Sequence, residues 1–192
     1  AKVAGAEVYP VDIGMAYEVE HPGVAQKCIR RGGTGNFVKE LAMTRAEAEE
    51  AILVGVETAQ LLCGRGVKLL AMGEMGIGNT TTSAAVLWVL LERSPAEMTG
   101  RGAGLSDDGL ARKVKAIETA LARHQPDKSD TLDVLSKVGG FDLAGLCGLV
   151  LGAALCRVPV LLDGLISCAA ALLAVNLCPA AGDYILASHL SA

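Results

Sequence analysis

Apolar residues recur along this chain in two spacings, and their alternation predicts the order of its elements. Short unbroken apolar runs at residues 67–72 (VKLLAM) and 158–162 (VPVLL) have the character of strands covered on both faces. Extended segments at 7–13 and 184–187 join them. Between these runs the spacing becomes helical. Thr44 and Glu47 have the separation of a capping box, and Ile52, Val56, Ala59 and Leu62 recur until Gly64 and Gly66 stop the pattern. A second helix is expected over 80–91. A third begins after Ser106 as N-cap, with Asp107 and Asp108 in its first turn and Leu110, Val114, Ile117 and Leu121 as its apolar face. Two apolar helices complete the series, one from Asp142 through Gly145, Gly148 and Gly152, the other from the Asp163–Gly164 turn to Leu177. Strands alternating with helices predict an α/β, Rossmann-like three-layer fold with a mainly parallel sheet and right-handed crossovers, in one domain over residues 1–192.

The junction between the strand at 67–72 and the helix after it carries the clearest chemistry. It reads GEMGIGNTTTSAAV from Gly73 to Val86. A helix start preceded by glycines presents unpaired N–H groups and the positive end of the helix dipole, and Gly76 and Gly78 let the backbone approach an anion. Two common glycine motifs fail here. Asn79 occupies the lysine position of a P-loop, and Thr81 occupies the third glycine position of the dinucleotide fingerprint. A monophosphate or sugar phosphate suits the loop better. The alternative is a tight structural turn, capped by Asn79 or Thr80.

Composition narrows the classes of function. Hydrophobic residues make up 52% and aromatics only 3%, with 23 glycines, which suits small-residue helices packed closely on a sheet. The net charge of −4 and the lack of any Lys/Arg run exclude the basic footprint of nucleic-acid binding. The longest apolar stretch, 143–156, is shorter than the roughly 18 residues of a membrane span, and the first residues lack the pattern of a signal peptide, so a cytoplasmic location is expected. Cys28, Cys63, Cys147, Cys156, Cys168 and Cys178 form no C-x-x-C pair, and neither His124 nor His189 lies at ligand spacing from them. They are expected to be reduced, buried and without metal.

In a doubly wound sheet, ligands bind outside the carboxyl ends of the strands. The polar residues that close the expected strands are Asp12, Glu74, Asp163, and Ser188 with His189. A second glycine loop at 99–105 (TGRGAGL), with Arg101, is placed to cover the same rim. Lys113 falls about 60° from the centre of its helix's apolar stripe, at the edge between core and solvent. There its ammonium reaches either a ligand or bulk water. These positions together predict an anion-and-sugar pocket in which Glu74 serves proton transfer or contacts a heterocycle N–H.

Five segments in order resemble one family. GEMGIGNTTTSAA, TGRGAGL followed by DDGLARKV, KVGGFDLAGL, RVPVLLDGLIS and the terminal SHLSA are similar to nicotinate-nucleotide:dimethylbenzimidazole phosphoribosyltransferase. The resemblance implies transfer of ribose 5-phosphate from nicotinate mononucleotide to 5,6-dimethylbenzimidazole in cobalamin biosynthesis, by a homodimer without cofactor or metal. By position, Glu74 matches a family carboxylate near the benzimidazole. Gly76, Gly78, Asn79, Thr80, Gly102, Lys113 and Ser191 match segments lining the mononucleotide and its phosphate, and Asp163 falls on the same rim.

Members of that family are longer. An N-terminal section that helps to enclose the base, and a C-terminal section with the glutamate usually assigned as general base, are expected to be absent from residues 1–192. The implied alternative is a nucleotide-binding or assembly module without turnover. A nucleotide-dependent phosphotransferase is disfavoured by Asn79.

Overall fold

Thr44 and Glu47 close the start of the first long helix reciprocally: the Glu47 N–H donates to Thr44 Oγ1 at 3.1 Å, and the Thr44 N–H donates to Glu47 Oε2 at 2.7 Å. In the computed structural model, which describes residues 1–93, 104 and 106–189, this helix, α1, spans Arg45–Gly64. It ends before Gly66, whose φ of +90° lies where only glycine is comfortable. Helices α2 (Asn79–Leu91), α3 (Asp107–His124), α4 (Thr131–Val138), α5 (Phe141–Leu155) and α6 (Leu165–Leu177) follow. Ser106 caps α3 as its sequence predicts, accepting the Gly109 N–H at 3.2 Å. The eight-residue α4 was not anticipated. Its cap is Asp130, which accepts from the N–H groups of Leu132 and Asp133, but two helical turns after a polar stretch give too short a periodic signal.

All strand pairing among the described residues is parallel, and the fold is α/β. Strands β3 (Leu70–Ala71), β4 (Val160–Leu162) and β5 (Ile185–Ala187) lie in that order, with Leu70 opposite Val160 and Val160 opposite Ile185. The expected first strand shrinks to β1 (Val11–Asp12) and pairs instead with the unanticipated β2 (Ala25–Gln26) in a sheet of its own. Its brevity has a local cause. Pro10 supplies no N–H, and the Asp12 carboxylate turns the chain by accepting from the N–H groups of Gly14 and Met15 at 2.9 and 2.8 Å.

The core is built largely from small and branched side chains: Ala84, Ala85 and Val86 of α2, Leu143, Ala144 and Val150 of α5, and Ala169, Ala170 and Leu173 of α6 are buried around Val160. Truncating the fully buried Leu143 or Leu173 to alanine would cost about 2–5 kcal/mol. Helices α1 and α5 approach until their backbones touch. A Cβ on Gly55 would collide with the Gly145 carbonyl and stand 2.6 Å from the Leu149 nitrogen, and one on Gly148 would collide with the Ile52 carbonyl. Glycine at these positions permits the contact.

The cysteines are unpaired, as expected, but not all are buried. Cys147 lies inside α5, where burial pushes its thiol up to about 12. Cys168 occupies the outward stripe of α6 and Cys178 follows the end of that helix, so both are exposed.

Candidate functional site

Because β3, β4 and β5 run parallel, the chain leaves all three at one rim. Gly73 and Glu74 follow β3, Asp163 and Gly164 follow β4, and Ser188 and His189 follow β5. Between the first two exits lies a half-open cavity of about 250 Å³, lined by Gly73, Glu74, Thr80, Asp163, Gly164, Leu165, Ile166 and Ser167. Two helices start beside it, and both have glycine at the N-cap. Gly78 precedes α2 with φ +83°, Gly164 precedes α6, and neither helix start receives a side-chain cap. The expected alternative of a turn capped by Asn79 or Thr80 is not what forms. The left-handed turn at Gly78 makes Asn79 the first helical residue and directs its side chain back along the loop instead.

The Asn79 amide bridges two carboxylates. Its Nδ2 donates to Glu74 Oε2 and to Asp142 Oδ2, the latter at 2.9 Å. The same Glu74 oxygen also accepts the Gly76 N–H at 2.8 Å. Gly76 makes room for this arrangement, since a Cβ there would collide with the Asn79 amide. Met75 and Ile77, between these glycines, project fully into solvent.

Lys113 is not at the edge of its helix. The buried stripe of α3 is Gly109, Lys113, Ile117 and Ala120, rotated from the expected one, and Lys113 is 8% exposed. The rotation follows from packing against α2, where the Lys113 ammonium donates to Thr80 Oγ1 at 3.0 Å. Burial lowers its pKa below the ordinary lysine value. A cation thus stands against the first turn of α2, where an anion at the helix start would meet both.

On the β4 side, the Asp163 N–H donates to Ser167 Oγ at 2.9 Å, and Ser167 Oγ donates to the Gly164 carbonyl at 2.8 Å. Ser188 Oγ lies 3.4 Å from the Asp163 carbonyl and 2.7 Å from His189 Nδ1. Asp12 is the expected rim residue that does not join them. It is buried in the separate β1–β2 sheet, paired with Arg31 at 2.6 Å. Burial pushes its carboxyl up, but the Met15 N–H, Arg31 and the Gly14 N–H outweigh that and hold it below the usual carboxylate range. Both of its oxygens are taken up by these local contacts.

Gly102, Arg101 and Ser191 lie outside the described residues; of the loop at 99–105 only Gly104 is described, with φ +95°. Asp142 is the site residue that sequence reading overlooked. The available signal was an acidic residue directly after Gly139, Gly140 and Phe141 at the start of an otherwise apolar helix.

Open helix starts and a carboxylate at the C-terminal rim of a parallel sheet define an α/β protein with a half-open cavity beside the strand exits. The chain belongs to the phosphoribosyltransferase family, whose model matches residues 1–192. It is 50% identical over its whole length to the nicotinate-nucleotide–dimethylbenzimidazole phosphoribosyltransferases of Acetivibrio thermocellus and Chloroflexus aurantiacus, and covers 54% of each. The crystal structure of CobT from Thermus thermophilus superposes with a TM-score of 0.93 at 40% identity, over 98% of this chain and 56% of that one. The chain therefore spans about half the length of the relatives it matches.

Proposed function

We propose that this chain forms the phosphate- and base-proximal core of a phosphoribosyltransferase that moves ribose 5-phosphate from nicotinate mononucleotide to 5,6-dimethylbenzimidazole. The products are α-ribazole 5′-phosphate and nicotinate. The observation that carries the reading is the uncapped start of α2, with the Lys113 ammonium at Thr80 and the Glu74 carboxylate at the same loop. Amides of the first turn of α2 and Lys113 hold the phosphate. Gly102 and Ser191 belong to the same substrate-binding set, and Asp163 sits across the cavity towards the sugar. With the phosphate held, the ribose presents its anomeric carbon to the base.

One benzimidazole nitrogen forms the new C–N bond as the bond to the nicotinate ring breaks. The departing pair neutralises the positive ring nitrogen. The proton on the second benzimidazole nitrogen passes to a carboxylate, and Glu74 fills that role. The domain is single, and the working form is a cytoplasmic homodimer. Exposed Leu53, Leu61, Met75 and Ile77 supply apolar surface for assembly, and no described helix is long and apolar enough to cross a membrane. Among the described residues no group of three or more His, Cys, Asp or Glu is placed to hold a metal.

A second reading, a binding module without turnover, is favoured by one observation: Glu74 Oε2 is already occupied by the N–H groups of Gly76 and Asn79. Calorimetric titration tests what the two readings share. Nicotinate mononucleotide and α-ribazole 5′-phosphate should each bind the folded chain at about 1 mM or below; absence of heat with both ends the phosphate-site reading. Product formation that disappears in Glu74→Gln selects the transferase, and binding without product selects the module.

A further inference from the structure

We propose that Asp142 is a positioning residue for Glu74 and acts through the Asn79 amide. The inference rests on the function proposed for Glu74, but its geometry stands apart from it. An asparagine amide carries two N–H donors on one nitrogen and an acceptor on the other atom. Here both neighbours are carboxylates, Glu74 on the loop after β3 and Asp142 in the first turn of α5. With Glu74 alone, the amide would be held by a single hydrogen bond and free to rotate. With Asp142 also accepting, a flipped amide would set its own oxygen against a carboxylate. The orientation is therefore determined by two anchors from different elements.

The surrounding backbone is cleared for this contact. A Cβ on Gly76 would collide with the Asn79 amide and stand 3.1 Å from Asp142 Oδ2, while a Cβ on Gly140 would collide with Asp142 Oδ1. Two glycines on separate elements thus leave room for one carboxylate. Asp142 also lies at the start of α5, where the helix dipole favours its charge and keeps it in place. Asn79 is buried, so loss of either anchor is not readily replaced by solvent. What Asp142 fixes is the Asn79 amide, which together with the Gly76 N–H sets the direction in which the Glu74 carboxylate faces the cavity.

The test combines crystallography of the 192-residue chain with steady-state kinetics. In Asp142→Ala the Asn79 amide should turn and the Glu74 carboxylate leave it, with kcat lower by roughly 10–100-fold and KM for nicotinate mononucleotide within about twofold. Asp142→Asn retains an oxygen acceptor and should recover most of kcat. Adding Asp142→Ala to Asn79→Ala should cost nothing further, since the path is already cut. Asp142→Ser, which suits a helix start but is too short to reach Asn79, replaces the alanine variant if that one does not fold. Unmoved Asn79 and Glu74 in the Asp142 variants overturn the proposal. If the wild-type chain turns nothing over, the transferase reading fails, and the crystal structures alone decide the role of Asp142.

Discussion

The described helices begin in two ways. Helices α1, α3 and α4 start from Thr44, Ser106 and Asp130, whose side chains accept the first free N–H groups. Helices α2, α5 and α6 start from Gly78, Gly140 and Gly164 with no side-chain cap, and these three converge on the Glu74 loop or the cavity beside it. A Ser, Thr or Asp cap contributes only a few tenths of a kcal/mol relative to glycine, so the second group forgoes a small stabilisation that the first group uses. The difference teaches where this fold keeps backbone donors available. The side-chain-capped starts use their own first backbone donors, whereas the glycine starts leave donors without a cap, and on the proposed function an anion takes up those of α2.

The sharpest way to break the comparison is through the side chains that complete the open end. Glu74→Gln should reduce product formation by about 10²–10⁴-fold while leaving the melting temperature nearly unchanged, measured by discontinuous assay and calorimetry. Next in size is Lys113→Ala, which should weaken phosphate-bearing ligands by about 10–100-fold and the free base by less than about twofold in parallel titrations. Equal weakening of both would remove the phosphate role.

Gly164→Asp should turn an open start into a closed one. Its backbone is extended, so a side chain can cap α6; anionic ligands should weaken by about tenfold, while stability rises by a few tenths of a kcal/mol in urea titration. Thr44→Ala is the matching change at a closed end. It should cost about 0.5–2 kcal/mol and leave ligand affinity untouched.

The smallest effect is a pH dependence. Burial lowers the Lys113 pKa in the folded chain, so the unfolded chain binds the proton more tightly, and stability rises with pH between the folded value and the ordinary lysine value. Lys113→Met should therefore abolish that rise, as read from urea titrations between neutral pH and about pH 10. A slope that persists in the variant would show that another group titrates.

Much of the fold was legible because its signals are local. The capping box at Thr44 and Glu47, the Ser106 cap and the apolar runs before Glu74 and Asp163 each depend on a few consecutive residues. The loss of β1 to a separate sheet was not legible, since it depends on which distant strand Val11 meets. Lys113 shows the same limit within a helix. Periodicity placed it at an edge, but the packing of α3 on α2 rotated it into the interior, against Thr80.

The amino-acid order alone determined the alternation of strands and helices, the glycine loop at Gly76 and Gly78, and the family to which these segments are similar, because turn chemistry and hydrophobic period are properties of neighbours in the chain. Only the tertiary structure decided that Asn79 would face Glu74 and Asp142 together, that Asp12 would leave the rim, and that Lys113 would be buried. Those outcomes join residues far apart in the chain, and their geometry is set by how close-packed helices meet across the sheet.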